Sequence, residues 1–275
     1  MSQPGTVRVA AIQTVSGPDV DENLRAADAL VAEAAANGAR LVALPEYFAL
    51  LSPDETAKLR AAETPGDGPI QRFLSGAARR HGVWIVGGTL PLAARTPGRV
   101  RNTVLVYDAA GAVVSRYDKI HLFGFDNGGE HYDESRTIEA GDAPVALDSP
   151  FGRLGLSVCY DLRFPELYRA MGRPDVVFVP SAFTATTGRA HWETLLRARA
   201  IENQCFVVAP AQGGVHPGGR RTWGHSMIVD PWGEILACRA EDGPGIVVAN
   251  LDPRRLDTVR RQLPALQHRR LGGAG

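Results

Sequence analysis

The chain reads as an α/β protein: a four-layer α-β-β-α sandwich made of two halves related by a pseudo-twofold. Two observations carry that expectation. Short apolar strands alternate with helical stretches in the same order, β-α-β-α-β-β, once before and once after residue 150. Local text also repeats: Val42-Ala43-Leu44-Pro45-Glu46-Tyr47-Phe48 resembles Val177-Phe178-Val179-Pro180-Ser181-Ala182-Phe183, and Thr103 to Gly111 echoes Ser226 to Gly233. Each half has helices for one face of a sheet only, so the two bare faces pack together. A single doubly wound sheet with added hairpins is the competing arrangement.

In chain order, Val7 to Thr14 is an apolar strand, and Val20 to Asn37 has helical spacing closed by Gly38. Leu41 to Leu44 is a strand broken by Pro45. Ile70 to His81 is a helix stopped at Gly82, and Val83 to Leu90 a strand. Asn102 to Tyr107 and Val113 to Tyr117 flank Asp108-Ala109-Ala110-Gly111 as a hairpin. From Arg153 the series recurs: a strand to Cys159, a helix from Phe164, a strand Val176 to Val179, a helix near Ala190 to Asn203, a strand Cys205 to Ala209 and a hairpin. All 275 residues form one domain on this reading, with a tail from about residue 263.

Composition narrows the function classes. Lys and Arg number 30, as do Asp and Glu, so charge gives no footprint for nucleic acid. No apolar run is long enough to span a bilayer, and the opening Met-Ser-Gln-Pro-Gly-Thr lacks the basic and apolar regions of a signal peptide. Three widely spaced cysteines, Cys159, Cys205 and Cys238, argue against a disulfide framework. The expectation is a cytoplasmic protein without membrane or nucleic-acid partners.

Three residues carry candidate chemistry. Cys159 ends an apolar strand at a strand-to-helix elbow, where α/β proteins present reactive groups and helix amides favour a thiolate; the plainer reading is a buried structural cysteine. Glu46 follows the Pro that ends another strand, where desolvation raises a carboxylate's proton affinity toward that of a general base. Otherwise it is a capping or solvated carboxylate. Lys119 closes a hairpin strand and is followed by apolar residues, so it is either a fixed cation facing a cleft or a snorkelling surface lysine.

Pro45-Glu46, Tyr117-Asp118-Lys119-Ile120-His121-Leu122 and Val158-Cys159-Tyr160-Asp161-Leu162-Arg163-Phe164-Pro165-Glu166-Leu167 resemble, in order, the three signature blocks of the nitrilase (carbon-nitrogen hydrolase) superfamily. The resemblance covers nearly the whole chain. It implies the α-β-β-α sandwich and a triad of Glu46 as general base, Lys119 as oxyanion stabiliser and proton donor, and Cys159 as nucleophile. It also implies a second, supporting glutamate at Glu134 and at least a homodimer. Ala190-His191-Trp192-Glu193, Arg197 to Cys205 and Leu263 to Arg270 resemble the branch that hydrolyses the amide of deaminated glutathione; a sister branch, the ω-amidases, acts on 2-oxoglutaramate and related α-keto amides. The loop from Phe123 to His131 departs from the family's wording.

On that resemblance Cys159 attacks an amide carbonyl, Glu46 takes its proton, and the oxyanion faces Lys119 and the Tyr160 amide. Ammonia leaves, and water hydrolyses a thioester on Cys159. No metal or organic cofactor is called for. Glu134 holds Lys119 or the attacking water, or is an exposed loop carboxylate. Substrate carboxylates call for cations, among which Arg163, Arg189, Arg197, Arg220 and Arg221 are candidates, Arg163 alternatively pairing with Asp161. The loop from His216 to Arg221 is otherwise solvated surface. Phe183 and Thr184 line the pocket, or Phe183 is core. Two rivals stand: a Cys-His hydrolase using His121, His191 or His225, and a non-catalytic scaffold. Metal-ligand spacings are missing.

Overall fold

The computed structural model describes residues 5–271, so residues 1–4 and 272–275, on which the reading of the extreme termini rested, lie outside it. The first half runs β1 (Val7–Gln13), α1 (Val20–Ala36), β2 (Leu41–Ala43), α2 (Ala57–Arg60), α3 (Pro69–His81), β3 (Trp84–Val86), β4 (Leu90–Ala93), β5 (Val100–Tyr107) and β6 (Val113–Asp118). A hairpin of β7 (Gly124–Asp126) and β8 (His131–Asp133) and then β9 (Val145–Ser149) lead to the second half. That half runs β10 (Gly152–Leu156), α4 (Pro165–Ala170), β11 (Val176–Phe178), α5 (Ala185–Asn203), β12 (Phe206–Ala209), β13 (Gly213–Val215), β14 (Arg221–Trp223), β15 (Met227–Val229) and β16 (Ile235–Cys238). β17 (Gly245–Leu251) and α6 (Pro253–Gln262) follow.

Helix ends follow local chemistry. Asp19 caps α1 through its carboxylate and the Glu22 amide, 2.9 Å apart. α3 opens on Pro69, its free Ile70 and Gln71 amides donate to the buried Glu63 carboxylate, and Gly82 closes it in the left-handed region.

Beside the two-stranded pairs β7-β8 and β13-β14, two large sheets result, in the orders β17-β1-β2-β3-β5-β4, with β6 also on β5, and β16-β15-β12-β11-β10-β9. In each, three parallel strands form the centre and a hairpin strand joins antiparallel: β1, β2, β3 then β5, and β10, β11, β12 then β15. Strand alternation divides the apolar residues between two layers. Ala10, Ile12, Val42 and Ile85 pack on Leu30, Val31, Leu74 and Ala78 of α1 and α3. Val9, Ala11, Leu41, Ala43 and Val86 turn to the other side and share one core with Leu154, Leu156, Val176 and Phe178 of the second sheet. Trp192, Leu196 and Ala200 of α5 cover that sheet's far face. The layers are therefore helix, sheet, sheet, helix, as expected, and not one doubly wound sheet.

The halves match in detail. Asp108 Oδ1 accepts from the Ala110 and Ala112 amides in the β5–β6 turn, and Asp230 Oδ1 from the Trp232 and Glu234 amides in the β15–β16 turn. Each turn ends on a glycine with positive φ, Gly111 at 78° and Gly233 at 88°.

Some expectations are corrected. The stretch from Val83 to Leu90 is not one strand: Gly88 has φ 56°, and a Cβ there would lie 2.2 Å from the Pro45 carbonyl, so the chain bends at the strand ends to pass the Glu46 loop. The helix expected from Phe164 begins at Pro165 and spans six residues, because the elbow is a 3-10 turn, Cys159–Arg163. α5 starts at Ala185, earlier than expected, because Thr184 caps it through the Thr187 amide.

Candidate active site

Carboxyl ends of strands from both sheets meet at one place. Thr14, just past β1, bridges Gln212, just past β12, and Gln212 Nε2 donates to the Glu46 carbonyl at 3.0 Å. The repeated segments after β2 and β11 thus face each other across the pseudo-twofold. Glu46 Oε2 accepts from the Ala182 amide of the opposite half at 2.9 Å.

Lys119 and the two glutamates form a buried cluster. Lys119 Nζ lies 2.8 Å from Glu46 Oε1 and, on its other side, 2.8 and 3.0 Å from the two oxygens of Glu134. Asn102, on β5, donates to Glu46 Oε1 at 3.0 Å. Glu134 also accepts from the Tyr47 hydroxyl and the Phe123 amide, both at 2.7 Å. Glu46 and Lys119 are each 1% exposed, which rules out the surface readings of both. Glu134 is likewise no free loop carboxylate.

Cys159 shares a narrow cavity with Glu46 and Glu134, whose wall includes Phe123, Tyr160, Arg163, Phe183 and Thr184. It opens the 3-10 turn with φ 48°, a strained conformation for a residue with a Cβ, and its amide donates to the Pro180 carbonyl at 3.0 Å. Asp161 braces the turn. Its buried carboxylate accepts from the Val158 amide at 2.8 Å, the Tyr117 hydroxyl at 2.7 Å and the His121 amide at 3.0 Å, with His121 Nδ1 at 2.7 Å. One side chain thereby joins the cysteine turn to the segment that carries Lys119.

Burial holds the Cys159 thiol well above its usual pKa, and Glu46 adds to this; Lys119 and the Ala182 amide offset only part. The expectation that helix amides favour a thiolate is therefore wrong. The following helix starts six residues on and burial dominates, so the resting group is a neutral thiol that needs a base. For Lys119, burial opposes the charge, but Glu134 and Glu46 outweigh it and raise its pKa well above the ordinary value. Burial pushes Glu134 up, and Lys119 together with hydrogen bonds from the Phe123 amide and the Tyr47 hydroxyl brings it below the usual carboxylate value.

The other sequence candidates separate. Arg163 does not pair with Asp161: its guanidinium lies over the Phe183 and Tyr160 rings, 5.4 and 5.8 Å from their centroids, at the cavity wall. Phe183 lines the cavity and also packs on Trp192, while Thr184 lines it and caps α5. Arg220 reaches the cavity, whereas Arg189 and Arg221 line a separate groove with Trp223. Arg197 ties α5 to the Gly233 carbonyl and pairs with the exposed Glu193 of the same helix, away from the site. His216 is buried between Ser16 and Thr222, so the loop from His216 to Arg221 is anchored at its start rather than solvated throughout.

Sequence reasoning missed Asn102, Tyr47 and the Ala182 amide. Only Asn102 left a trace, as an amide side chain at the head of the apolar run Val104 to Tyr107. No histidine lines the cavity, and no cluster of metal-ligating side chains occurs among the described residues.

The model of the family described as carbon-nitrogen hydrolase matches residues 8–261. The chain belongs to the carbon-nitrogen hydrolase family. The deaminated glutathione amidase of Synechocystis sp. (strain PCC 6803 / GT-S) is 48% identical over 266 residues, covering 94% of this chain and 97% of its own. The Homo sapiens protein of that name is 39% identical, over 95% of this chain and 82% of its own. Among solved structures, the NitFhit protein of C. elegans superposes on this hydrolase with TM-score 0.88 at 38% identity, over 98% of this chain; the chain spans 66% of that one. An amidase mutant from Nesterenkonia sp. AN1, carrying acrylamide added at its active-site cysteine, gives TM-score 0.78 at 28% identity over 95% of this chain and 99% of its own. Among the described residues of this family member no helix is long and apolar enough to cross a membrane.

Proposed function

We propose that this protein is an amidase of the deaminated glutathione amidase type, working through a thioester on Cys159. The observation that carries the reading is the shared cavity of Cys159 and Glu46, with Lys119 clamped between Glu46 and Glu134 behind it. The names and identities of the relatives above support the substrate assignment.

Because the resting thiol is neutral, proton removal and attack go together. Glu46 takes the Sγ proton as Cys159 bonds to the amide carbon, and the carbonyl π pair moves to oxygen. Lys119, held protonated, and the Tyr160 amide, among the first amides of a helical turn and so without an acceptor inside it, stabilise that oxyanion. On collapse the C–N bond breaks and the leaving nitrogen takes the proton from Glu46. Water, deprotonated by Glu46, then attacks the thioester, giving a carboxylic acid and restoring the thiol. Glu134 acts as a positioning residue that fixes Lys119. Tyr160, Arg163, Phe183 and Thr184 form the wall against which the substrate lies. The expectation that ammonia leaves is corrected for this substrate: glutathione contains no primary amide, so its deaminated form releases a dipeptide amine, whereas 2-oxoglutaramate releases ammonia.

The test is product formation from deaminated glutathione, 2-oxoglutaramate and a simple nitrile side by side. Preferred turnover of the first is expected, with loss of about 10⁴-fold or more in Cys159→Ala and a mass shift on Cys159 for the trapped thioester. Full activity in Cys159→Ala would sink the mechanism, and a decisive preference for 2-oxoglutaramate would move the protein to the ω-amidases.

The reading includes a reducing, cytoplasmic setting, supported by three cysteines that all remain free. It also includes a homodimer, supported by exposed Ile201, Trp232, Ile235 and Leu236 around the end of α5 and the β15–β16 hairpin. Sedimentation of the wild-type protein and of Trp232→Glu checks it, a smaller species being expected for the variant.

A further inference from the structure

Beside Glu134 the cavity continues into a second hollow of about 80 Å³, which shares Phe123, Glu134 and Arg220 with the one holding Cys159. Two cations face this hollow. Lys58, on α2, is partly buried, and its ammonium makes one hydrogen bond, to Thr137 Oγ1 at 3.2 Å. Arg220 donates Nη2 to the Ala182 carbonyl at 3.2 Å and lies over the Tyr132 ring, 5.1 Å from its centroid. Its Nε is buried and has no hydrogen-bond partner among the described residues. Among the described residues neither cation has an ion-pair partner.

The carboxylates nearby are committed elsewhere. Glu134 is held by Lys119, Tyr47 and Phe123, Glu55 lies 3.7 Å from Arg136, and Asp133 caps the Ser135 amide at 3.0 Å. Burial pushes the Lys58 ammonium below its ordinary pKa; Glu134 and Glu55 oppose this, and Arg220 reinforces it. Two like charges brought together out of bulk water, one with an orphaned N–H, are unfavourable in the free protein. An anion in the hollow supplies what both lack, and Arg and Lys are the side chains suited to it.

We propose that Lys58 and Arg220 form a subsite for a carboxylate that the substrate carries beyond its scissile amide. The inference rests on the amidase reading for the word substrate, and it deepens that reading: the enzyme selects acidic amides over neutral ones. The carboxylate belongs either to the acyl portion or to the released amine, and both present the same chemistry to the two cations.

The experiment is calorimetric titration of the Cys159→Ala protein with glutarate, with cysteinylglycine and with uncharged butyramide. Lys58→Gln and Arg220→Gln, each on that background, are expected to weaken one of the two acidic probes by about tenfold or more and to leave butyramide unchanged. Lys58→Arg keeps the binding, which separates a lost charge from a damaged fold. Weakening of glutarate places the subsite on the acyl side, and weakening of cysteinylglycine places it on the amine side. Failure of both acidic probes to bind, or equal binding by parent and variants, overturns the proposal. Turnover by the wild-type protein is read separately: charge-dependent binding without hydrolysis of any amide would remove the amidase reading and leave the subsite standing.

Discussion

Lys119 keeps a full positive charge at 1% exposure because two carboxylates clamp it, and that arrangement has a stability as well as a chemical meaning. Removing the cation leaves two buried acids facing each other, so Lys119→Met is expected to cost about 3–5 kcal/mol, read from denaturant unfolding. The pH dependence follows from the shifts. Lys119 has a raised folded pKa, so its contribution is complete below the unfolded value of about 10.4 and fades only as pH climbs through the folded one. Glu134 has a lowered folded pKa, so its contribution is complete above about 4.3 and fades as pH falls through the folded value. Between pH 5 and 9 the cluster leaves the unfolding midpoint flat. Below that range stability drops, and Glu134→Gln shows a shallower acid limb than the wild type. An acid limb unchanged in that variant would mean that other carboxylates set it.

At the scale of elements, the site depends on how loops after strands are held. Gly88 lets β3 turn beneath the Pro45 carbonyl, and Gly88→Ala puts a Cβ into that carbonyl at a positive φ. A loss of about 2 kcal/mol or more is expected, together with reduced kcat, since the displaced loop carries Glu46. Asp161 makes the equivalent connection on the other side, and Asp161→Asn leaves buried donors unpaired at about 3 kcal/mol. Its kcat falls while KM is little changed if the residue positions Cys159 against Lys119. Elements of this kind were legible in the sequence wherever a terminator stood beside a periodic run, as with Asn37-Gly38 and His81-Gly82. The Glu46, Lys119 and Cys159 positions were legible because each sits beside a strand end or a proline. Tyr47, Asn102 and the Ala182 amide were not, since their roles exist only once the halves meet. The state of Cys159 was misread because helix amides were weighed without the burial that opposes them. The six-residue helix α4 was legible from the proline at its start rather than from periodicity, whereas the late strand β17 was not read.

Over the whole molecule, repetition in the text became a repeated sheet, with one core between the sheets and one cavity where corresponding strand ends converge. A shared inter-sheet core predicts one cooperative unfolding transition, in which near-ultraviolet and far-ultraviolet dichroism give the same midpoint. Two separated midpoints would show that the halves melt independently. Each sheet is also completed from outside its own repeat. β9 lies before the second repeat and pairs with β10, while β17 lies after it and pairs with β1 of the first. The order of synthesis is therefore not the order of assembly: the first half stays one strand short, its Val7–Gln13 edge open, until Gly245–Leu251 has been made. Until then the nascent chain has an unpaired β-edge to shield.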